Sequence, residues 1–291
     1  MRKAIIAFVL TAVIAACGDE PVGPVNPLPG PDLAADISSG ASYACAIVRD
    51  ASIRCTGALA AFAPSSGQWD VVEGGAEHAC GIRREGSVGC WGVNIYNKLA
   101  APFERDFIEV TAGTQHSCAV RSDGTIACWG LNDAGQTVPP TGAGYHAIAA
   151  STGGHHTCAL DSAGAVVCWG LGNGGQTRGL PGDGFLFLTT TEDGGCAMDG
   201  SGRIRCWGTE LPGLPADAGF SSFSAGRDFL CAIRNGRAQC WGTSDSDGQL
   251  DPPDYADFVR LAAGYAHACA LRGNGHVICW GSIESFPGVA Q

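Results

Sequence analysis

The sequence predicts an all-β fold made of seven copies of one small antiparallel unit. Three observations lead there. Fourteen of the fifteen cysteines form seven pairs: Cys45/Cys55, Cys80/Cys90, Cys118/Cys128, Cys158/Cys168, Cys196/Cys206, Cys231/Cys240 and Cys269/Cys279. The first cysteines of successive pairs lie 35, 38, 40, 38, 35 and 38 residues apart, and so regular a period marks one supersecondary unit repeated along the chain. Forty-four glycines and fifteen prolines, with few runs of helix formers, mark a turn-rich β chain. Residues 32–291 are many for one simple sandwich but suit seven small units sharing a closed ring. The units run over about 33–60, 68–100, 106–139, 144–179, 184–213, 219–251 and 257–291.

The third unit shows the pattern. Phe107 to Ala112 reads as a strand ended by Gly113, His116 to Arg121 as a second, and Thr125 to Trp129 as a third. Ser122-Asp123-Gly124 between the last two is a three-residue hairpin loop with glycine in the left-handed position. Gly86, Gly164, Gly202 and Gly275 fall at the same place. The sixth unit is one residue shorter, and its Asn235-Gly236 suits a two-residue type I′ turn with Arg234 opposite Arg237.

This register puts both cysteines of a pair directly opposite each other, about 4.5 Å apart at Cα in a non-hydrogen-bonded position, a gap that a disulfide spans. One hairpin disulfide per unit is therefore expected. Each closes a short loop, which the chain-entropy treatment credits with at most about 2.8 kcal/mol. Metal binding is the competing reading, because four units carry His-x-Cys: His78/Cys80, His116/Cys118, His156/Cys158 and His267/Cys269. The close Cys-x2-4-Cys spacing of zinc sites is missing. Three units have Tyr43, Gly194 or Phe229 in place of the histidine and keep both cysteines. Disulfides are favoured over metal, and no cofactor is expected.

Each histidine precedes a strand cysteine by two residues and so shares its face, with a hydrogen bond to the next unit's loop as its expected role. Trp91, Trp129, Trp169, Trp207, Trp241 and Trp280 each follow the second cysteine, face the opposite way, and should fill the gaps between units. Trp69, Phe107, Phe185, Phe220 and Phe258, eleven residues before the first cysteine, read as packing residues as well.

Cys17 lies outside the repeat. Met1-Arg2-Lys3 is a basic n-region, and Ala4 to Ala16 is apolar apart from Thr11. That run is short of the roughly 20 residues that span a bilayer, and has the form of a secretory segment. Ile14-Ala15-Ala16-Cys17 resembles a bacterial lipobox. Residues 1–16 are expected to be a lipoprotein signal peptide and Cys17 the lipidated residue. The proline-rich residues 17–31 are a membrane tether that, at about 3.1 Å per residue, reaches roughly 45 Å. Gly18 in place of aspartate favours the outer membrane by the enterobacterial sorting rule. Export to the cell envelope, facing periplasm or exterior, permits disulfides. With Arg2 and Lys3 removed, 15 basic residues face 28 acidic ones. Such a balance disfavours nucleic acid and anionic head groups.

The line His-x-Cys-Ala-Val/Leu, then Asp-x-Gly-x-Ile/Val-x-Cys-Trp-Gly-Leu-Asn, then Gly-Gln-Thr resembles the regulator of chromosome condensation repeat. It is fullest at 112–137 and 153–177. The short period and the Gly-Gln-Thr endings look more like bacterial members such as β-lactamase inhibitor protein II. The resemblance implies a seven-bladed β-propeller with about three antiparallel strands per blade. The first unit departs from the pattern with Cys-Thr-Gly at 55–57 and Ala51 in place of the hairpin glycine. The eukaryotic founder's exchange-factor and chromatin roles are not carried over to an acidic exported chain.

Function in a propeller lies in its loops, here roughly 59–68, 94–105, 132–144, 172–184, 209–219 and 243–256, with Tyr96, Phe103 and Tyr255 as exposed aromatic candidates. They hold no nucleophile elbow, metalloprotease helix or phosphate loop. Asp245-Ser-Asp-Gly248 reads as a solvated turn rather than a calcium loop. The chain is expected to be a monomeric, non-enzymatic binding module for an extracellular or envelope protein, with an inhibitor-like role as one version. The alternatives are a structural envelope protein and a propeller lyase or glycan-acting enzyme. An axial cluster of His and Glu would favour the enzyme, and blade-buried histidines would count against it.

Overall fold

The computed structural model describes residues 33–208 and 211–283. The signal segment, Cys17, the tether and residues 284–291 lie outside the described residues. The described chain forms seven three-stranded antiparallel sheets, each of three consecutive strands. They are β1 Ala34–Ser39, β2 Ala44–Val48 and β3 Ile53–Cys55; β4 Trp69–Gly74, β5 His78–Arg83 and β6 Val88–Gly92; and β7 Phe107–Ala112, β8 His116–Arg121 and β9 Ile126–Gly130. Next come β10 Ala147–Ala150, β11 His156–Leu160 and β12 Val166–Gly170; β13 Phe185–Thr190, β14 Gly195–Asp199 and β15 Ile204–Trp207; β16 Ser222–Ala225, β17 Phe229–Arg234 and β18 Arg237–Gly242; and β19 Phe258–Ala263, β20 His267–Arg272 and β21 Val277–Gly281.

Turn chemistry sets the register. Gly124 sits at φ 81° and Asn235-Gly236 at φ 53° and 77°, the left-handed values their loops require. In the first sheet Ala51 takes the same conformation at φ 64°, at the steric cost that glycine avoids. Arg234 pairs with Arg237, and every cysteine pairs with its partner across the hairpin.

All seven disulfides form within single hairpins. Cys45 bonds to Cys55, Cys80 to Cys90, Cys118 to Cys128 and Cys158 to Cys168. Cys196 bonds to Cys206, Cys231 to Cys240 and Cys269 to Cys279. Their Cα atoms are 4.0–4.1 Å apart, shorter than the separation of about 4.5 Å expected from the register. The two ends of each bridge differ in burial. The first cysteine is on the middle strand and is buried. Its partner, Cys55, Cys90, Cys128, Cys168, Cys206, Cys240 or Cys279, is on the outermost strand and only half-buried.

The first strands of neighbouring sheets touch one another round the ring, so they are the innermost. Each sheet has a cysteine face and a tryptophan face, because successive side chains on a strand alternate. The cysteine face of one sheet packs on the tryptophan face of the next. Trp91 clusters with Cys45, Ile47 and Ile53, and Trp129 with Cys80, Ile82 and Val88. The indole N–H groups of Trp129, Trp169, Trp207 and Trp280 donate to the carbonyls of Lys98, Gln136, Gln176 and Gln249 at 2.8–3.0 Å. Each bond joins a sheet to the connector that follows the preceding sheet.

The backbone repeats one further bond. The amide that opens each sheet donates to a hairpin carbonyl of the sheet before it, as from Phe107 to Gly86 and from Phe258 to Gly236. The amide of Ala34 donates to Gly275 at 2.9 Å, which makes the same link from the first sheet to the seventh. Residues 34–55 build the first sheet alone and residues 258–281 the seventh. Among the described residues the ring therefore closes by packing and not by strand exchange. The strand Ala34–Ser39 belongs to the first blade and does not complete the seventh.

Candidate functional site

The chain path sorts the loops to two ends of the propeller. Turns between first and second strands share one end with the starts of the long connectors. The hairpins between second and third strands lie at the other. Contacts between turn and connector fix this: Lys98 Nζ donates to Gln115 Oε1 at 2.8 Å, Gln176 Nε2 donates to Asp193 Oδ1 at 3.2 Å, and His155 Nδ1 lies 3.7 Å from Asp133 Oδ1.

The two ends differ in charge. The turn end carries Glu77, Asp133, Glu192, Asp193, Asp228, Asp245 and Asp247. Two of its cations, Lys98 and Arg227, are tied down. Arg227 Nε donates to Glu192 Oε2 at 2.5 Å, and its guanidinium lies over the Tyr265 ring. The Lys98 side chain is fully buried with Nζ 3.6 Å from Glu77 Oε2, and burial lowers its pKa. Lys98 replaces Gln136, Gln176 and Gln249, which fold back on their own connectors through Ala134, Gly174 and Asp247 amides. At the hairpin end the arginines are matched: Arg234 with Asp217 and Arg272 with Asp257 at 2.8 Å, Arg237 with Asp254, and Arg121 with Glu104 and Asp106.

Exposed apolar side chains give the turn end its second character. Ile95 and Tyr96 are 48% and 55% exposed. They follow β6 beside the Glu77 turn, where the amide of Val93 donates to the Glu77 carbonyl. Tyr96 and Asn97 are both left-handed, at φ 61° and 58°. Two consecutive non-glycine residues in this region cost roughly 1–3 kcal/mol each, and surrounding contacts must hold them there. The Asn94 carboxamide oxygen accepts the Leu99 amide at 3.1 Å and closes the loop beneath Tyr96. Of the other aromatic candidates, Phe103 is 99% exposed. Tyr255 instead packs edge-on against Phe258 at 5.6 Å under the Arg272 guanidinium. In the calcium-like stretch, Asp245 Oδ1 accepts the Leu250 amide at 2.8 Å.

The four repeat histidines lie buried between blades and do not converge. His78 Nε2 meets Ser117 Oγ, and His116 Nε2 meets Thr157 Oγ1, each at 2.7 Å; His156 Nε2 donates to the Gly194 carbonyl at 3.0 Å. Two of these partners are strand residues, not the loop residues the sequence suggested. The ring sits beside the residue preceding the next blade's cysteine, which is already in β8 or β11. Burial lowers His78 and His116 to about 3 and His267 to about 4, and lowers His156 too. In the first unit Tyr43 makes the same crossing, its hydroxyl donating toward the Gly75 and His78 carbonyls.

Two residue sets escaped the sequence reading. Hydroxyls on innermost strands accept backbone amides from the next blade: Ser38 from Gly74, Thr111 from Ala150, Thr189 from Ala225 and Ser224 from Ala263, at 2.8–3.1 Å. Each stands opposite a first cysteine, so a Ser or Thr seven residues before that cysteine was the available signal. Arginines also cap the packing aromatics, Arg83 over Trp69 at 4.5 Å and Arg121 over Phe107 at 5.1 Å. Their signal was an arginine three residues after the first cysteine.

Comparison with known proteins bears on this geometry. Residues 107–136, 145–176 and 258–283 match the family model described as Regulator of chromosome condensation (RCC1) repeat. The chain carries RCC1 repeats in these three stretches. Its propeller is similar to the entire ectodomain of the Physcomitrella patens receptor kinase CR4, with TM-score 0.70 and 27% identity over 84% of this chain and 72% of that one. The ectodomain of the Arabidopsis thaliana receptor kinase ACR4 gives TM-score 0.69 and 25% identity over 88% of this chain and 97% of that one. Yeast RCC1 (Prp20), solved bound to Kap60, gives 0.63 at 16% identity over 94% and 86%, a likeness of fold. A stretch of 71 residues is 37% identical to the serine/threonine-protein kinase-like protein CCR2 of Arabidopsis thaliana. It spans 21% of this chain and 9% of that protein.

Proposed function

We propose that this chain is an exported, lipid-anchored RCC1-repeat propeller whose turn end binds an extracellular or envelope protein. The observation that carries this reading is the exposed Ile95-Tyr96 pair, with Tyr96 and the following Asn97 on strained left-handed backbone beside an acidic rim. Strain of this kind concentrates where a side chain must be presented in one pose. An aromatic anchor with few torsions loses little entropy on binding. The likeness to receptor-kinase ectodomains supports an interaction module outside the cell. Seven hairpin disulfides support an oxidising compartment.

Lipidation at Cys17, the tether over 17–31 and a monomeric state complete the proposal. The acidic balance opposes nucleic acid as the partner. A non-catalytic role accords with histidines that are buried and separated in different junctions.

The test immobilises the oxidised ectodomain, residues 18–291, and passes native envelope and culture-fluid extracts over it. One protein retained stoichiometrically, and released by Tyr96→Ala or by scrambling 94–97 but not by scrambling the hairpin loop 122–124, is the expected result. Retention that survives Tyr96→Ala removes the assigned end. No retained protein favours a purely structural role.

A further inference from the structure

We infer that the ring has one built-in opening point, the junction of the seventh and first sheets, which parts while each blade stays closed by its own disulfide.

Three devices recur at other junctions, an inserted tryptophan, an opening aromatic and a covalent connector, and this one lacks all three. Six junctions receive a tryptophan from the following sheet: Trp91, Trp129, Trp169, Trp207, Trp241 and Trp280. The first sheet has Thr56 at that position, so no indole reaches the seventh. The aromatic that opens β4, β7, β13 and β19 is Ala34 in β1. The buried cluster here consists of Ala34, Ile37, Ala44, Ala262, Cys269, Leu271, Val277 and Ile283 and contains no aromatic ring. Alanine buries far less apolar area than tryptophan, so less holds these faces together.

The polar crossing is also weaker here than at the junctions of His78 and His116. His78 and His116 reach a hydroxyl on the residue before the next blade's cysteine. For His267 that residue is Ala44. The His267 ring instead faces the Tyr43 backbone, a weaker contact than the 2.7 Å hydroxyl bonds of His78 and His116. What remains is the Ala34–Gly275 amide bond, the Ser39 hydroxyl donating to the Ala262 carbonyl at 3.1 Å, and the Arg260–Asp36 pair at 2.7 Å. The chain crosses every other junction covalently. Here the first and last described sheets meet with no connector between them.

The four buried histidines provide the assay, because each sits in a different junction. The full oxidised chain would be treated with diethylpyrocarbonate and the modification of each ring followed by peptide mass spectrometry. His78 and His156 also keep an unpaired Nδ1, so a free nitrogen is not peculiar to His267. The expected result is His267 modified at least about tenfold faster than His78, His116 and His156, because a junction without an indole or a connector opens more often. Backbone amides inside β19–β21 should stay protected from hydrogen exchange over the same interval. Ala44→Ser, which offers His267 the hydroxyl Ser117 gives His78, should bring its rate toward the others. Thr56→Trp is the second variant, by packing rather than polarity. Equal rates at all four rings, or faster reaction at another, overturn the inference. So does a fast His267 that neither variant slows.

Discussion

Lowering the pH from 7.5 to 5 should remove a large part of the stability of this propeller through histidines that never touch a ligand. His78 and His116 are held at about 3 and His267 at about 4, each by burial first, against an ordinary value of 6.5. The folded pKa lies below the unfolded one, so between these values the unfolded chain binds the additional proton. Stability is then lost as pH falls below 6.5 and goes on falling until the folded pKa is reached. At pH 5 each ring costs about 2 kcal/mol relative to pH 7.5, or roughly 6 kcal/mol for the three. Carboxylates with lowered pKa, such as Asp123 and Asp199, start from 3.8 and stay ionised throughout this window. Urea unfolding with the disulfides intact at both pH values measures the difference, and His116→Asn should shrink it by about 2 kcal/mol. Equal stability at pH 7.5 and 5, or His78, His116 or His267 titrating near 6.5 in the folded protein by NMR, would refute the reasoning.

Other perturbations separate the forces at one junction. Ser117→Ala leaves His78 Nε2 unpaired in the interior and should cost about 1–3 kcal/mol in denaturant unfolding. Trp129→Phe keeps most of the apolar contact but loses the bond to the Lys98 carbonyl, for a cost of about 1 kcal/mol by the same assay. Replacing Cys118 and Cys128 together by serine should cost at most about 3 kcal/mol and leave the other six bridges intact in a peptide map. Gly236→Ala meets the Ala256 carbonyl from a left-handed position, so a loss above about 1 kcal/mol is expected in thermal unfolding.

Much of the fold was legible because it is local. A hairpin whose loop is Asn235-Gly236 can adopt only one register, and that register pairs Cys231 with Cys240 without any information from elsewhere in the chain. The same holds for Gly124 and Cys118/Cys128. Partnerships between blades were less legible, because they join residues about one period apart through ring geometry. That Thr111 would accept the Ala150 amide, or His116 find Thr157, depends on how far neighbouring sheets rotate. Spacing alone does not encode that rotation. Tyr255 illustrates the limit from the other side: a loop tyrosine read as exposed is drawn inward by Phe258, three residues on, and by Arg272 on the strand paired with it. Tyr96 was visible as a candidate, but its left-handed backbone was not, since no glycine or turn motif announces it.

The molecule depends above all on seven blades, each closed by its own bridge and assembled in an oxidising compartment. Intact mass before and after reduction, with a non-reducing peptide map of the protein isolated from its native cells, tests this most directly. The predicted result is a gain of about 14 Da on reduction, with every bridge joining the two cysteines of a single hairpin. No mass change, or bridges that join different blades, would contradict it.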